Sequence, residues 1–256
     1  MRRAEREAVA LGLLHGPAEL VPVSSSGHVA ALPWLLGWEV AGWEGARRKE
    51  LEVALHAGTA TALLLVLRPE RLRPQLLASA FVPPAVVGLA LERRIEERLG
   101  TPPTLAAGLL AGGAALVLAD RSRGSRDDAD AGVRDGIALG LAQACALVPG
   151  VSRNGATLAA ARGRGFDRAA ASRLSWEVAL PVLVGATALK GWRVARGLGG
   201  AARARPLALG AGAAFGSTLA TARAIGTERR SPLWPWAVWR AALAGAILAV
   251  RHNRSR

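Results

Sequence analysis

The chain has 256 residues, 51% of them hydrophobic, with 30 glycines, a single cysteine and a formal net charge of +14. One cysteine excludes an internal disulfide and leaves no CxxC pair for a metal site. The arginines are spread through the connections between apolar runs, with no basic stripe interleaved with aromatics, so the charge points to anionic lipid headgroups and not to nucleic acid.

Taken in chain order, residues 8–36 are apolar overall yet contain His15, Glu19, three serines and His28, and are broken by Pro17, Pro22 and Pro33. Irregular backbone at membrane depth is tolerated only where protein or a water-filled cavity satisfies its amides, so a re-entrant helix-loop-helix is expected here. The interruption at His15, Gly16 and Pro17 comes before a signal-peptide core could form, and the amino terminus is expected to stay in the mature protein. Apolar runs follow at residues 51–67, 75–91 and 102–119; the last holds eighteen consecutive uncharged residues, enough to cross about 30 Å of hydrocarbon as a helix. A second broken segment, residues 133–161, is centred on Pro149-Gly150-Val151-Ser152 and is followed by apolar runs at 169–189, 206–222 and 233–250. Within the second broken segment Cys145 reads as a small apolar filler. Arginine occurs in both sets of alternate connections, the amino terminus, 92–98, 190–205 and the tail on one side and 68–73, 120–130, 162–173 and 223–230 on the other, so the positive-inside rule assigns no orientation.

The two broken segments are related. Leu20-Val21-Pro22-Val23-Ser24-Ser25-Ser26-Gly27-His28 parallels Leu147-Val148-Pro149-Gly150-Val151-Ser152-Arg153-Asn154-Gly155, with Ser24 and Ser152 128 positions apart, half the chain. A shared EVAL at residues 52–55 and 177–180 falls in the same order at an offset of 125. Duplication with a discontinuous segment in each copy is the sequence pattern of inverted-repeat membrane folds. The expected fold is therefore an all-α integral membrane protein of about six transmembrane helices plus two re-entrant hairpins in inverted-topology repeats. It forms one polytopic domain over residues 1–256, with halves of roughly 1–125 and 126–256.

Ionisable groups at membrane depth are costly and usually functional, which singles out Glu19, His28 and Arg153. Arg153 carries a planar fork matched to phosphate or carboxylate oxygens, and with Ser152, Asn154 and Gly155 it stands at an expected helix start, where backbone N–H groups favour anions. An isolated Ser-Arg-Asn-Gly would more simply be a helix cap with a snorkelling arginine, but Ser24-Ser25-Ser26-Gly27 adds a second loop suited to wrapping phosphate oxygens. Glu19 and His28 flank that loop as a carboxylate and an imidazole, the pair needed to hold a hard divalent cation or to move a proton.

These segments resemble the undecaprenyl-diphosphate phosphatase (BacA/UppP) family, which is linked to bacitracin resistance. His15 to His28 is similar to its EGxTEFxPVSSTGH signature, and Leu147 to Thr157 to its PGxSRSGAT signature. Glu52 to Thr59 (EVALHAGT) resembles its E/D-V-x-x-Q/H-x-G segment, residues 138–149 the run leading into the second signature, and Trp236-Ala237-Val238-Trp239-Arg240 a variant of its F-x-x-Y-R. The resemblance implies hydrolysis of undecaprenyl diphosphate to undecaprenyl phosphate and inorganic phosphate, a divalent cation (Mg²⁺ or Ca²⁺), and a multi-pass location in the bacterial inner membrane. Expected partners are the polyprenyl diphosphate and membrane lipids, with no nucleic acid and room for a homodimer. The implied catalytic residues are Glu19, Ser25, His28 and Arg153. Ser24, Ser26, Gly27, Ser152, Asn154, Gly155 and Thr157 would bind phosphate, and Glu19, with His15, the metal. The chain departs from the pattern at His15, Ala18 and Asn154, and at Glu177, where the family is normally apolar. Ala18 stands where the signature has Thr. Two other readings of the same loops are a carrier that moves a polyprenyl phosphate across the bilayer and a phosphatase for a different lipid diphosphate.

Overall fold

A computed structural model describes residues 1–67, 73–197 and 200–254; most of the expected basic connection at 68–73 and two residues of that at 190–205 lie outside them. Among the described residues there is no β-strand, and ten α-helices carry the fold: α1 (Arg3–Leu20), α2 (Ser25–Leu36), α3 (Gly45–Val66), α4 (Pro74–Leu99), α5 (Pro102–Asp120), α6 (Val133–Cys145), α7 (Arg153–Gly163), α8 (Arg168–Gly197), α9 (Ala201–Ala220) and α10 (Trp234–Arg254). Each expected apolar run falls on one long helix, and each broken segment becomes two helices separated by a short loop. Pro74–Leu91, Pro102–Asp120 and Arg168–Gly197 are long and apolar enough to cross a membrane on their own, and no more than 39% of any such stretch is buried inside the protein. Helices so apolar and so exposed are stable only with lipid against them.

The chain divides into two compact units. One comprises Met1–Leu20, His28–Arg68 and Leu183–Ala224, the other Val21–Gly27, Pro69–Val182 and Ile225–Arg256.

In the first unit α9 packs against α1 and α3, around a core of Ala8, Leu11, Leu51, Leu55, Leu207 and Ala214. The approach is close because small residues line it: a methyl group on Gly58 would collide with the Ala211 carbonyl, and one on Gly12 with that of Gly210. Among apolar helices in lipid, dispersion at such short range replaces the hydrophobic effect as the source of cohesion. Polar contacts reinforce it: Ser217 Oγ donates to the Gly12 carbonyl at 2.9 Å, and the buried Glu7 carboxylate accepts the backbone N–H groups of Glu39 and Val40 at 3.1 and 3.0 Å. Arg203 grips Glu50 through Nε and Nη2 at 3.1 and 2.8 Å.

The second unit has its core in Leu76, Leu116, Leu139, Leu158, Phe166, Leu174 and Leu233. Here α4 packs on α6, α5 on α7 and α10, and α6 on α7. Gln143 on α6 donates to the Ala80 and Val178 carbonyls, both at 3.3 Å, bracing α6 against α4 and α8. The opposite face of α6 is a stripe at i, i+4 spacing, Val133, Ile137, Leu141 and Cys145, all exposed. Cys145 is thus on the outward face and not an interior filler, because helical periodicity carries it there. Glu177 is bound by Arg73, with Nε on Oε1 at 3.0 Å and a second contact from Nη2 to Oε2; a carboxylate at this position is neutralised from the end of the neighbouring helix.

Asp135, at the loop end of α6 and outside the spanning helices, accepts two hydrogen bonds from Arg126 at 3.1 and 2.9 Å and one from Arg164 at 2.8 Å. Burial alone would raise its carboxyl, but the hydrogen bonds from Arg126, the Gly132 amide and Arg164 hold it down to about 2. A folded value below the ordinary 3.8 means that the ion pairs stabilise the fold above that pH and are lost as pH falls toward about 2. Asp135→Asn is expected to lower the thermal midpoint in detergent at pH 7, by the equivalent of about 2 kcal/mol, and to flatten the loss of stability between pH 4 and 2, read by thermal unfolding across pH.

Candidate active site

The two broken segments end their first helices differently but start their second helices in the same way. After α1 the backbone turns through Val21-Pro22-Val23, and Ser24 takes a left-handed φ of +75°. Its Oγ accepts the Gly27 N–H at 3.2 Å. After α6 the chain turns through residues 146–151, and Ser152 takes a φ of +68° while its Oγ accepts the Gly155 N–H at 3.2 Å. These two serines are the only non-glycine residues with positive φ among the described residues. A left-handed conformation costs a side-chain-bearing residue on the order of 1–3 kcal/mol and persists where the surroundings over-determine it. The two loops are therefore alike in the φ and capping of their serines as well as in letters. Each loop delivers the first turn of a helix, where the amides have no intrahelical acceptor and the dipole favours an anion.

Both loops belong to the second unit, and one side chain ties them. Arg240 of α10 is fully buried. Its Nε donates to the Leu109 carbonyl at 3.2 Å, Nη1 to Pro22 at 3.5 Å, and Nη2 to Gly150 and Val151, each at 2.7 Å. A methyl group on Gly112 would strike the guanidinium, and one on Gly155 would lie 2.9 Å from Nη1. The last long helix thus fastens the first loop and the second loop to α5 through a single planar fork, a geometry lysine cannot reproduce.

On the second loop, the Arg153 guanidinium lies 5.0 Å from the ring centroid of Trp176, within cation–π range. Asn154, where the family pattern has serine, accepts the Ser175 hydroxyl on Oδ1 at 2.9 Å, and its buried Nδ2 has no hydrogen-bond partner. That leaves a donor beside Arg153, as an oxyanion site requires. Thr157 is fully buried, and its hydroxyl is engaged with the Arg153 and Asn154 carbonyls and with Ser175 at 3.0, 3.1 and 2.5 Å. It braces the start of α7 and has no group left over for a ligand. Ser25 and Ser26 open α2, with Ser26 Oγ 3.4 Å from Ser24 Oγ.

The acid and the imidazoles lie in the first unit. His15 and Glu19 are one turn apart on α1 and both are buried; His28, also buried, is on α2. His15 Nδ1 is 2.9 Å from Thr59 Oγ1, and Thr218 donates to the same hydroxyl at 3.2 Å. His56 of α3 stands edge-on to His15, ring centroids 4.5 Å apart, and its Nδ1–H donates to the Glu52 carbonyl at 2.9 Å. One ligand atom from each of His15, Glu19 and His56 lies within 4.8 Å of the others. The sequence reading assigned roles to His15 and Glu19 and missed His56. The available signal was its place in the EVALHAGT segment, four residues after Glu52. The donor set suits a divalent cation, although two imidazoles and one carboxylate offer fewer oxygens than Mg²⁺ or Ca²⁺ ordinarily take.

The fold and these loops define an all-α, multi-pass membrane protein with two serine-capped loops. The family model described as bacitracin resistance protein BacA matches residues 8–246. An undecaprenyl-diphosphatase of Geobacter sulfurreducens is 36% identical over 271 residues, covering 96% of this chain and 98% of its own length. Those of Geobacter metallireducens and Trichlorobacter lovleyi are 37% and 33% identical, covering 93% and 95% of this chain and 95% and 96% of their own lengths. The chain belongs to the BacA family.

Replacing Arg240 by Met keeps much of the apolar stem but strips four carbonyls of their donor. The expected result is a loss of about 3 kcal/mol or more, seen as a lowered thermal midpoint in detergent, whereas Arg153→Met should leave the midpoint nearly unchanged.

Proposed function

We propose that this chain hydrolyses undecaprenyl diphosphate to undecaprenyl phosphate and inorganic phosphate in the bacterial inner membrane, recycling the lipid carrier for peptidoglycan synthesis and conferring bacitracin resistance. The observation that carries the reading is the pair of strained, serine-capped helix starts locked by Arg240, with Arg153 and the unpartnered Asn154 amide on one of them. Diphosphate oxygens need this kind of preorganised donor array. Relatives that align over nearly their whole lengths are named for the same substrate. The fold that goes with this reading has six spans, α3, α4, α5, α8, α9 and α10, and two re-entrant hairpins, α1–α2 and α6–α7, in inverted repeats, and it leaves room for a homodimer.

In this mechanism Arg153, Asn154 and the first-turn amides of α2 and α7 hold the phosphates. Ser24 and Ser152 keep those helix starts in register by capping them. Ser25 supplies the hydroxyl that attacks the terminal phosphorus or orients the attacking water; trapping a phosphoenzyme separates the two. His28 takes the proton from the attacking oxygen and returns it to the departing lipid phosphate; if Ser25 is the attacking group, a water deprotonated by His28 then displaces it from phosphorus, releasing inorganic phosphate and restoring the hydroxyl. A divalent cation held by Glu19 with His15 and His56 supplies charge neutralisation when bound.

The test is phosphate release from undecaprenyl diphosphate by purified protein with Mg²⁺, Ca²⁺ or other divalent cations supplied. Glu19→Ala and Arg153→Ala should each reduce the rate at least a hundredfold, the usual cost of removing one transition-state contact. Absence of release by the unaltered protein with every cation, or full activity in both variants, overturns the reading. Movement of lipid phosphate between leaflets without hydrolysis would make it a carrier.

A further inference from the structure

We infer that His15, Glu19 and His56 form a His₂–Glu centre that selects a borderline transition-metal ion, Zn²⁺ in the first place, over Mg²⁺ and Ca²⁺. The inference deepens the reading above, since it concerns the ion at the Glu19 position, but it stands on donor chemistry and not on the identity of the lipid.

Four observations point the same way. First, the ring of His56 has its tautomer set. A backbone carbonyl can only accept, so the contact with Glu52 at 2.9 Å places the proton on Nδ1 and the lone pair on Nε2. This is the arrangement in which metal-binding imidazoles are usually held. Second, His15 is held through Nδ1 by Thr59, while its Nε2 is buried and has no hydrogen-bond partner. The ring is fully buried, and a polar atom left in that state is destabilising unless a ligand completes it. Third, Glu19 follows His15 by one helical turn, so both project from the same face of α1, and one ligand atom from each of the three residues lies within 4.8 Å of the others. Fourth, the backbones that carry the donors are held close: Gly12 and Gly16 of α1 and Gly58 of α3 all abut α9 with no room for a side chain.

Donor identity decides the ion. Mg²⁺ demands a near-octahedral oxygen shell and Ca²⁺ takes six to eight oxygens, whereas this cluster offers one carboxylate and two nitrogens. Imidazole favours Zn²⁺ and its neighbours in the transition series. Two histidines and a glutamate leave a tetrahedral ion one open position, the arrangement of catalytic and not of structural zinc sites. His15 stands where the family signature has a carboxylate, and His56 takes the imidazole option at a position where the family uses Gln or His. Both choices move the donor set toward nitrogen.

The experiment uses the full-length protein in detergent, without a histidine tag, stripped with a chelator and reloaded with Zn²⁺, Co²⁺, Mg²⁺ or Ca²⁺. Bound metal is counted by mass spectrometry, and the Co²⁺ form is read by visible absorption. We expect one Zn²⁺ per chain that a hundredfold excess of Mg²⁺ does not displace, and a Co²⁺ spectrum of four-coordinate intensity. His56→Gln should lower Zn²⁺ affinity at least a hundredfold while the thermal midpoint of the metal-free protein stays unchanged. Thr59→Ala, which removes the partner of His15 Nδ1 together with the acceptor of the Thr218 hydroxyl, should cost about tenfold. His15→Glu should shift selectivity back toward Mg²⁺, which a misfolded variant could not do. Substoichiometric Zn²⁺, ready displacement by Mg²⁺, or Zn²⁺ binding indifferent to His56→Gln overturns the inference. Phosphate release with Mg²⁺ by a protein that binds no Zn²⁺ would sink this inference alone, and a tight Zn²⁺ site in a protein that releases no phosphate would sink only the proposed function.

Discussion

The fork of Arg240 is the constraint on which the second unit depends. A guanidinium withdrawn from water is tolerated only when its donors are spent, and here they are spent on Leu109, Pro22, Gly150 and Val151, so that satisfying one buried cation fixes two loops and a helix at once. No carboxylate shares in it. Among the described contacts the charge is met by carbonyl dipoles. The glycines at 112 and 155 are part of the same solution, because any side chain there would compete with the fork for space.

Left-handed serines follow from that constraint. Glycine is the usual residue at positive φ, yet serine stands at both positions, 24 and 152, and each uses its hydroxyl to cap the helix that follows. The conformational cost is set against a hydrogen bond that glycine could not make. The first-turn amides are thereby aimed before any ligand arrives, which lowers the ordering cost of binding.

Much of this was legible in the sequence, and for identifiable reasons. Helix breaks were signalled by proline and by polar residues within apolar runs, long helices by uninterrupted apolar length, and the likeness of the loops by repeated letters. Cys145 could have been placed correctly from Val133, Ile137 and Leu141, whose spacing already defines an outward face. His56 and Arg240 were quoted within family-like segments but received no role, because their significance lies in neighbours far along the chain: Glu19 and His15 for the one, Pro22 and Gly150 for the other. No local pattern encodes such meetings. The same holds for Glu177, whose carboxylate looks misplaced until Arg73 is seen to bind it, and for Thr157, whose hydroxyl is a plausible ligand in one dimension and already engaged in three.

Arg240 also makes distant parts of the chain depend on one another. It lies on α10, while the loops it fastens come from residues near 22 and 150. Until that helix packs in place, neither loop has the fork to hold it. Without α10 the chain would keep every residue of both loops but lose the one group that joins them, so their shared arrangement is a property of the assembled unit and not of either loop's own sequence.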